Sequence, residues 1–333
     1  MKFEPISKVP GFKFGHAQDL EAFTGCTVIL CDDGSIGGVD QRGGSPGTRE
    51  TDLLRPLHMV ENVNAILLTG GSAFGLDAAA GIMRFLEEKG KGIDTGFARV
   101  PIVPGAVIFD LGFGSSKIRP DAVMGYEACK NASEQEPKQG NYGAGTGATV
   151  GKILGNSQAM KGGIGHAAIE IGGGVWIGAL MVVNALGDIV DPYSRSIIAG
   201  ARSIKKSIIK IGETDRFANT LTVMGSFIGQ KSLSFSAKQN TVIGAVLTNA
   251  KLSKDETNKL AQAGQNGLVL SIQPSHTMFD GDTMFAVSSQ KKPSNINSVA
   301  AFAPLVVAQA IVNAVTFAES LGGIPSASDL IHV

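Results

Sequence analysis

The stretch SLSFSAKQNTVIGAVLTNA, residues 232–250, changes character at a single bond. Up to Asn240 it is polar and linker-like, and from Thr241 onward it is a run of small and branched apolar residues of the kind that forms a buried strand. A hydroxyl residue at the head of such a strand suits an N-terminal nucleophile. If the Thr241 hydroxyl attacks the Asn240 carbonyl and that bond is cut, Thr241 becomes a chain terminus. Its α-amine, with an ordinary pKa of about 7.7–8.0, can then serve as general base. An ordinary loop-to-strand junction looks the same, and spacing alone favours that plainer reading.

Outward from this junction, residues 28–31, 65–69, 100–111, 163–171 and 175–184 are further short apolar runs bounded by turn residues, each read as a mostly buried strand. Helical spacing predicts helices over 72–89, 122–132, 254–270 and 298–320. The third opens with Ser253-Lys-Asp-Glu256, a capping box that would satisfy two backbone donors reciprocally. Strands come in consecutive runs and helices are grouped, which favours a layered α+β sandwich over strictly alternating strand and helix. Residues 131–141 and 232–240 are the clearest linker-like stretches, no internal repeat is visible, and one domain spanning 1–333 is expected.

Composition narrows the function classes. The chain has 333 residues, 44 of them glycine, with 43% hydrophobic residues, and Lys plus Arg (29) balance Asp plus Glu (29). Balanced charge offers no field for nucleic acid or an anionic membrane surface, so neither is expected as a partner. Residues 1–15 lack the apolar region of a secretion signal, and no uninterrupted apolar run of bilayer-spanning length is seen. Cys26, Cys31 and Cys129 form no paired motif, so a reducing, cytoplasmic compartment is expected. The glycines sit in short clusters, such as Gly70-Gly71 and Gly143-Ala-Gly145-Thr-Gly147, and read as sharp turns and close backbone approaches.

Several motifs fail on context. Gly70-Gly71-Ser72-Ala73-Phe74 lacks the last glycine of a nucleophile elbow. Residues 143–148 match a dinucleotide fingerprint loosely, with Glu170 downstream, but no buried strand precedes them, and 146–152 lacks two residues of a phosphate loop. The five histidines, His16, His58, His166, His276 and His332, show no metal-ligand spacing and are read as structural. Asp280-Gly281-Asp282 has no closing ligand for calcium. No metal and no cofactor are expected.

Taken together, TGCTV (24–28), VDQRGG (39–44), LTGGSAFGL (68–76), VPGAVIFD (103–110), GAGTGA (143–148), the Asn240-Thr241 junction, VLTNA (246–250) and HTMFDGDTMF (276–285) resemble the self-processing peptidases of the D-aminopeptidase/esterase type. That family includes β-aminopeptidases and nylon-oligomer hydrolases. The resemblance covers roughly residues 10–320 and implies a four-layer αββα sandwich of N-terminal-nucleophile-hydrolase architecture. It also implies a precursor cut into an α chain, 1–240, and a β chain, 241–333, with a tetramer of cleaved units as the expected homo-oligomer.

Carried over by position, the resemblance makes Thr241 the nucleophile and Asn184 the side-chain donor to the oxyanion. Asp280 and Asp282 would orient the Thr241 hydroxyl and amine, and Lys152 would assist their protonation states; as a residue alone, Lys152 also reads as a solvated lysine after a glycine turn. Backbone N–H groups at Gly71 and Ser72, and close approach at Gly145, would line the cleft. A threonine nucleophile with Asp280-Gly-Asp282 resembles the nylon-oligomer branch, although Phe109 stands where that branch carries a tyrosine. The expected function is hydrolysis of amide bonds in short peptides or peptide-like oligomers through an acyl-enzyme at Thr241. The alternatives are acyl transfer of the ornithine acetyltransferase type and a non-catalytic binding protein that keeps the fold.

Overall fold

Apolar strands hide both faces when two sheets stack and helices cover the outside, and that is the arrangement of this chain. The computed structural model describes residues 1–206, 209–212, 216–226 and 240–331; the polar side of the opening stretch, 232–239, and His332 lie outside the described residues. Ten strands build the two large sheets: β1 (Phe12–Asp19), β2 (Thr24–Cys31), β3 (Ile36–Gln41), β4 (Thr48–Arg49), β5 (Ala65–Thr69), β6 (Gly105–Val107), β7 (Gly163–Glu170), β8 (Trp176–Asn184), β9 (Thr241–Lys251) and β10 (Thr283–Pro293). The first sheet has the order β1-β2-β5-β6-β4 and the second β7-β8-β9-β10-β3. In the second, β9 and β10 run parallel and their other neighbours antiparallel.

The longer helices close the layers. Helices α1 (Ala78–Glu88) and α2 (Ala122–Lys130) cover the first sheet through Ala78, Ile82, Ala128 and Cys129, which meet Cys26, Val28 and Leu67. Helices α3 (Lys254–Ser271) and α4 (Ile296–Thr316) cover the second through Leu260, Leu268, Val307 and Ile311. Strand β9 shows how its sequence serves both sides: Val242, Val246 and Ala250 join the helix-facing core, whereas Ile243, Ala245 and Leu247 join the core between the sheets. The side-chain period of two then turns Thr241 toward the inter-sheet space, at the open end of the strand.

The expected elements at 65–69, 163–171 and 175–184 form as strands, and the capping box holds, with Glu256 N donating to Ser253 Oγ and Ser253 N to Glu256 Oε2. The expected strand over 100–111 is a correction. Pro101 and Pro104 have no N–H to give a ladder. Only Gly105–Val107 pairs in the large sheet, while Arg99–Val100 pairs with Ile93–Asp94. The helix expected from residue 72 begins as a 3-10 turn, Ser72–Asp77, and becomes α-helical at Ala78. Residues 131–141 are no loose linker: Ser133 bridges Phe14, Gly140 bridges Ile164, and Gln139 Oε1 accepts from His166 N.

The sequence shows no uninterrupted apolar run of bilayer length, and in the most apolar helix Asn297, Ser298, Gln309 and Asn313 break the run. Helix α4 is long and apolar enough to cross a membrane, with a mean hydropathy of 1.9 over its most apolar window, but half of that window is buried against protein. It is apolar because it roofs a sheet.

Candidate active site

Strand pairing assembles the site. Asn184, the last residue of β8, lies directly opposite Thr241, the first of β9. Parallel pairing of β9 with β10 brings the turn that precedes β10 alongside, with Asn240 bridging Asp280. Thr241 is 6% exposed, and Asn184, Asp280 and Asp282 are buried. The Thr241 hydroxyl donates to the carbonyl oxygen of Asn240, and Gly281 N donates to the same oxygen at 3.1 Å. The hydroxyl and a backbone donor therefore meet on the carbonyl group of the bond that the sequence marks.

Asn184 is held from several sides. Its Oδ1 accepts from Thr149 N (3.0 Å) and from Lys152 Nζ (2.8 Å), and its Nδ2 donates to the carbonyl oxygen of Phe109 at 3.1 Å. Lys152 Nζ also donates to the backbone oxygen of Asn184. The reading of Lys152 as a solvated lysine is overturned, because it is 3% exposed. Burial pulls its pKa down to about 7, against the attraction of Asp280 and Asp110, while Lys161 pushes in the same direction as burial. Burial and the neighbouring Asp282 raise Asp280 to about 6, opposed by hydrogen bonds from Thr277.

The acidic turn is built by residues that sequence reasoning passed over. Asp282 Oδ1 accepts from Val242 N at 2.8 Å, and its Oδ2 accepts from His276 N and contacts His276 Nδ1 at 3.0 Å. Asp280 Oδ2 accepts from the N–H and hydroxyl of Thr277. His276, read as structural, thus orients one of the two carboxylates. The only signal for it was the unbroken HTMFDGDTMF string. The VDQRGG segment seats the same turn: Arg42 N donates to Asp282 O, Gly44 N to Thr277 O and Ser45 N to Asp280 O. A Cβ at Gly43 would come within 2.4 Å of Asp282 N.

The three backbone candidates fare differently. Ser72 lines the cavity, but its N–H donates to Ile108 O. Gly71 N donates to Asp110 Oδ1 at 2.7 Å. Asp110 is itself buried and takes the Thr24 hydroxyl on its other oxygen, so the carboxylate consumes the donor expected to face a ligand. Gly145 packs between layers, where a Cβ would meet Ile164 N at 2.3 Å, and its N–H donates to Tyr142 O. These glycines answer to packing.

Thr241 opens on a cavity of about 350 Å³ lined by Pro46, Val107, Phe109 and Phe279 with the hydroxyl residues Ser45 and Ser72. A Cβ placed on Gly281 would lie 2.8 Å from Ser45 O and 2.9 Å from Thr241 Oγ1. Gly281→Ala is therefore expected to displace the hydroxyl and slow any reaction at the 240–241 bond by at least an order of magnitude, roughly the cost of a misplaced reacting group. Denaturing mass spectrometry of the variant over time reads this, and wild-type behaviour would remove the steric argument.

The model of peptidase family S58 matches residues 4–327 of this chain. The chain belongs to that family. An S58 peptidase hydrolyses peptide or amide bonds, and this places the chain among the hydrolases. A Mycobacterium tuberculosis protein named as an uncharacterised aminopeptidase is 38% identical over 348 residues, covering 98% of this chain and 97% of its own. The 6-aminohexanoate-oligomer endohydrolase of Paenarthrobacter ureafaciens is 33% identical over 282 residues, covering 85% of this chain and 74% of its own.

Among solved structures, the L-aminopeptidase D-Ala-esterase/amidase of Ochrobactrum anthropi, described as a variant of the Ntn hydrolase fold, superposes with a TM-score of 0.69 at 19% identity. It covers 96% of this chain and 88% of its own. A Burkholderia sp. β-aminopeptidase gives 0.66, also at 19% identity, covering 99% and 93%. The S58 chain thus has the expected N-terminal-nucleophile-hydrolase sandwich.

Proposed function

We propose that this S58 hydrolase is made as a precursor that cuts itself between Asn240 and Thr241 and then hydrolyses amide bonds through an ester on Thr241. The observation that carries this is the meeting of the Thr241 hydroxyl and the Gly281 N–H on the carbonyl of Asn240. Attack of Thr241 Oγ on that carbon, with its proton passed to a nearby base, puts negative charge on an oxygen that Gly281 N–H already faces. Collapse breaks the C–N bond as a proton reaches the Thr241 nitrogen, and water then cleaves the ester to leave a carboxyl on Asn240 and a free amine on Thr241.

After the cut, that amine becomes the base for its own hydroxyl. The Asn240 carboxyl leaves the position where a substrate carbonyl can enter, so the Gly281 N–H and the Asn184 side-chain amide become the donors to the new oxyanion. Asp282, braced by His276, holds the start of β9 through Val242 N. Lys152, close to neutral in pKa, takes up and returns protons at working pH. The two-chain enzyme, 1–240 plus 241–333, works as a homo-oligomer in the cytoplasm on this reading. N-terminal sequencing of the purified protein tests it, with a fragment beginning at Thr241 expected; an active, uncut chain overturns it.

A pH dependence follows. The Thr241 amine, ordinarily at about 7.7–8.0, must be unprotonated to act as base and Lys152 must lose its proton to act as acceptor, so kcat/KM is expected to fall as pH drops from about 8 through about 7. Lys161, whose Nζ donates to Thr146 O and Ala148 O and which burial itself pulls down to about 7, depresses Lys152 while it keeps its proton. Lys161→Met removes that repulsion and is expected to move the acid limb to higher pH. An unmoved limb would take Lys152 out of the proton transfer.

A further inference from the structure

The lip of the cavity in front of Thr241 carries a cation held in place. The backbone φ is +79° at Gly71 and +54° at Ser72, and this left-handed turn brings Ser72 and Ala73 onto the cavity wall. A serine in that region is strained, so the surroundings must hold it there. They do: Gly71 N is fixed by Asp110 and Ser72 N by Ile108 O. The next residue along the lip, Phe74, is 62% exposed, and Arg119 lies over its ring with the guanidinium carbon 3.8 Å from the centroid. The chain at Arg119 packs on the same turn, since a Cβ at Gly71 would come 2.9 Å from Pro120 Cδ and 3.2 Å from Arg119 Cβ.

Arg119 Nε donates to Ser116 O at 2.9 Å. Stacking and that bond fix the plane of the guanidinium while using one of its five N–H donors. Asp121, the acid nearest in sequence, is occupied as the cap of α2, where it accepts from Met124 N. The end of the guanidinium fork then matches the two oxygens of a carboxylate, and because the side chain is already oriented, little freedom is lost on binding.

Resting on Thr241 as the nucleophile, we infer that Arg119 binds a carboxylate carried by the amine part of the substrate. In the proposed cut the acyl place belongs to Asn240, which is 3% exposed, whereas Ala73 on the lip is exposed. A substrate that puts its acyl part where Asn240 was leaves its amine part toward Ala73, Phe74 and Arg119. The favoured bond is therefore the last amide of a chain, whose cleavage releases an amino acid with its carboxyl group already free.

The test uses the processed protein and two pairs of anilides, leucine and 6-aminohexanoic acid each joined to 4-aminobenzoate or to 4-aminobenzamide, with release of the aromatic amine followed over time. The leaving groups share a shape and differ in charge. The benzoate is expected to exceed the benzamide about tenfold in kcat/KM, with the difference in KM, the scale of one charge-assisted hydrogen bond. Arg119→Met keeps an apolar stem on Phe74 without the charge, and the ratio is expected to fall to about one. Arg119→Glu is expected to invert it.

A wild-type ratio near one would overturn the inference while leaving the nucleophile in place. So would a ratio that survives Arg119→Met, because a variant that merely loosens the lip slows both anilides alike. Turnover of none of the four anilides by a chain already cut before Thr241 would instead refute amide hydrolysis through Thr241, and the inference with it.

Discussion

Thr241→Ala is expected to yield one uncut chain of 333 residues with amide hydrolysis lowered on the order of 10⁶-fold, the scale seen when a catalytic nucleophile is removed. The methyl side chain keeps the head of β9 folded, because the strand is held by Asn184 on one side and by the pairing with β10 on the other. What disappears is the hydroxyl oxygen that contacts the Asn240 carbonyl and can form a covalent bond with it. Thr241→Ser restores a hydroxyl and should restore cutting. Denaturing mass spectrometry beside a turnover assay reads both variants, and an alanine variant that still separates into two fragments would sink the mechanism.

The second large effect is expected at Asn184. On the proposed mechanism Asn184→Ala removes a donor to the developing oxyanion, and loss of one such donor costs ~10²–10³ in kcat. It also strips Lys152 Nζ and Thr149 N of a buried acceptor, so stability falls by about 1–3 kcal/mol for the groups left unsatisfied. Asn184→Asp separates the two contributions. It keeps the acceptor for Lys152 but gives up the donor to Phe109 O along with the proposed oxyanion donor, so a protein that folds with somewhat lower stability and kcat lowered to a similar degree is expected. Turnover by Asn184→Asp equal to wild type would remove Asn184 from the chemistry.

Local physics made much of this legible. The capping box at Ser253, the strand at 65–69 and the apolar run after Thr241 each depend on residues a few positions apart, and each formed where expected. The ordered motifs pointed to positions that the structure brings together, Asn184 and Asp280 beside the Asn240-Thr241 bond. The wiring of the site was not legible, because the wires are long: Thr24 reaches Asp110 across 86 residues and Asn258 reaches Leu54 across 204. No periodicity says that Asp110 will take the Gly71 N–H, or that Ile108 will take that of Ser72, so glycines that looked like ligand donors proved to be spent internally. His276 went unrecognised for a related reason. A lone histidine carries no spacing signal, and its partner Asp282 had already been assigned to the threonine.

The order of the second sheet, β7-β8-β9-β10-β3, has one more consequence. A cut before β9 leaves the later fragment with two strands in the middle of a sheet whose flanks, β8 and β3, belong to the earlier fragment. The two pieces are interleaved like the fingers of clasped hands, and neither can leave without breaking ladders on both sides of the other. Before the cut, refolding is a search within one molecule; after it, refolding requires an encounter between two, with a concentration dependence the precursor never had. The intact chain is then the template on which the enzyme is assembled, and the cut discards the template.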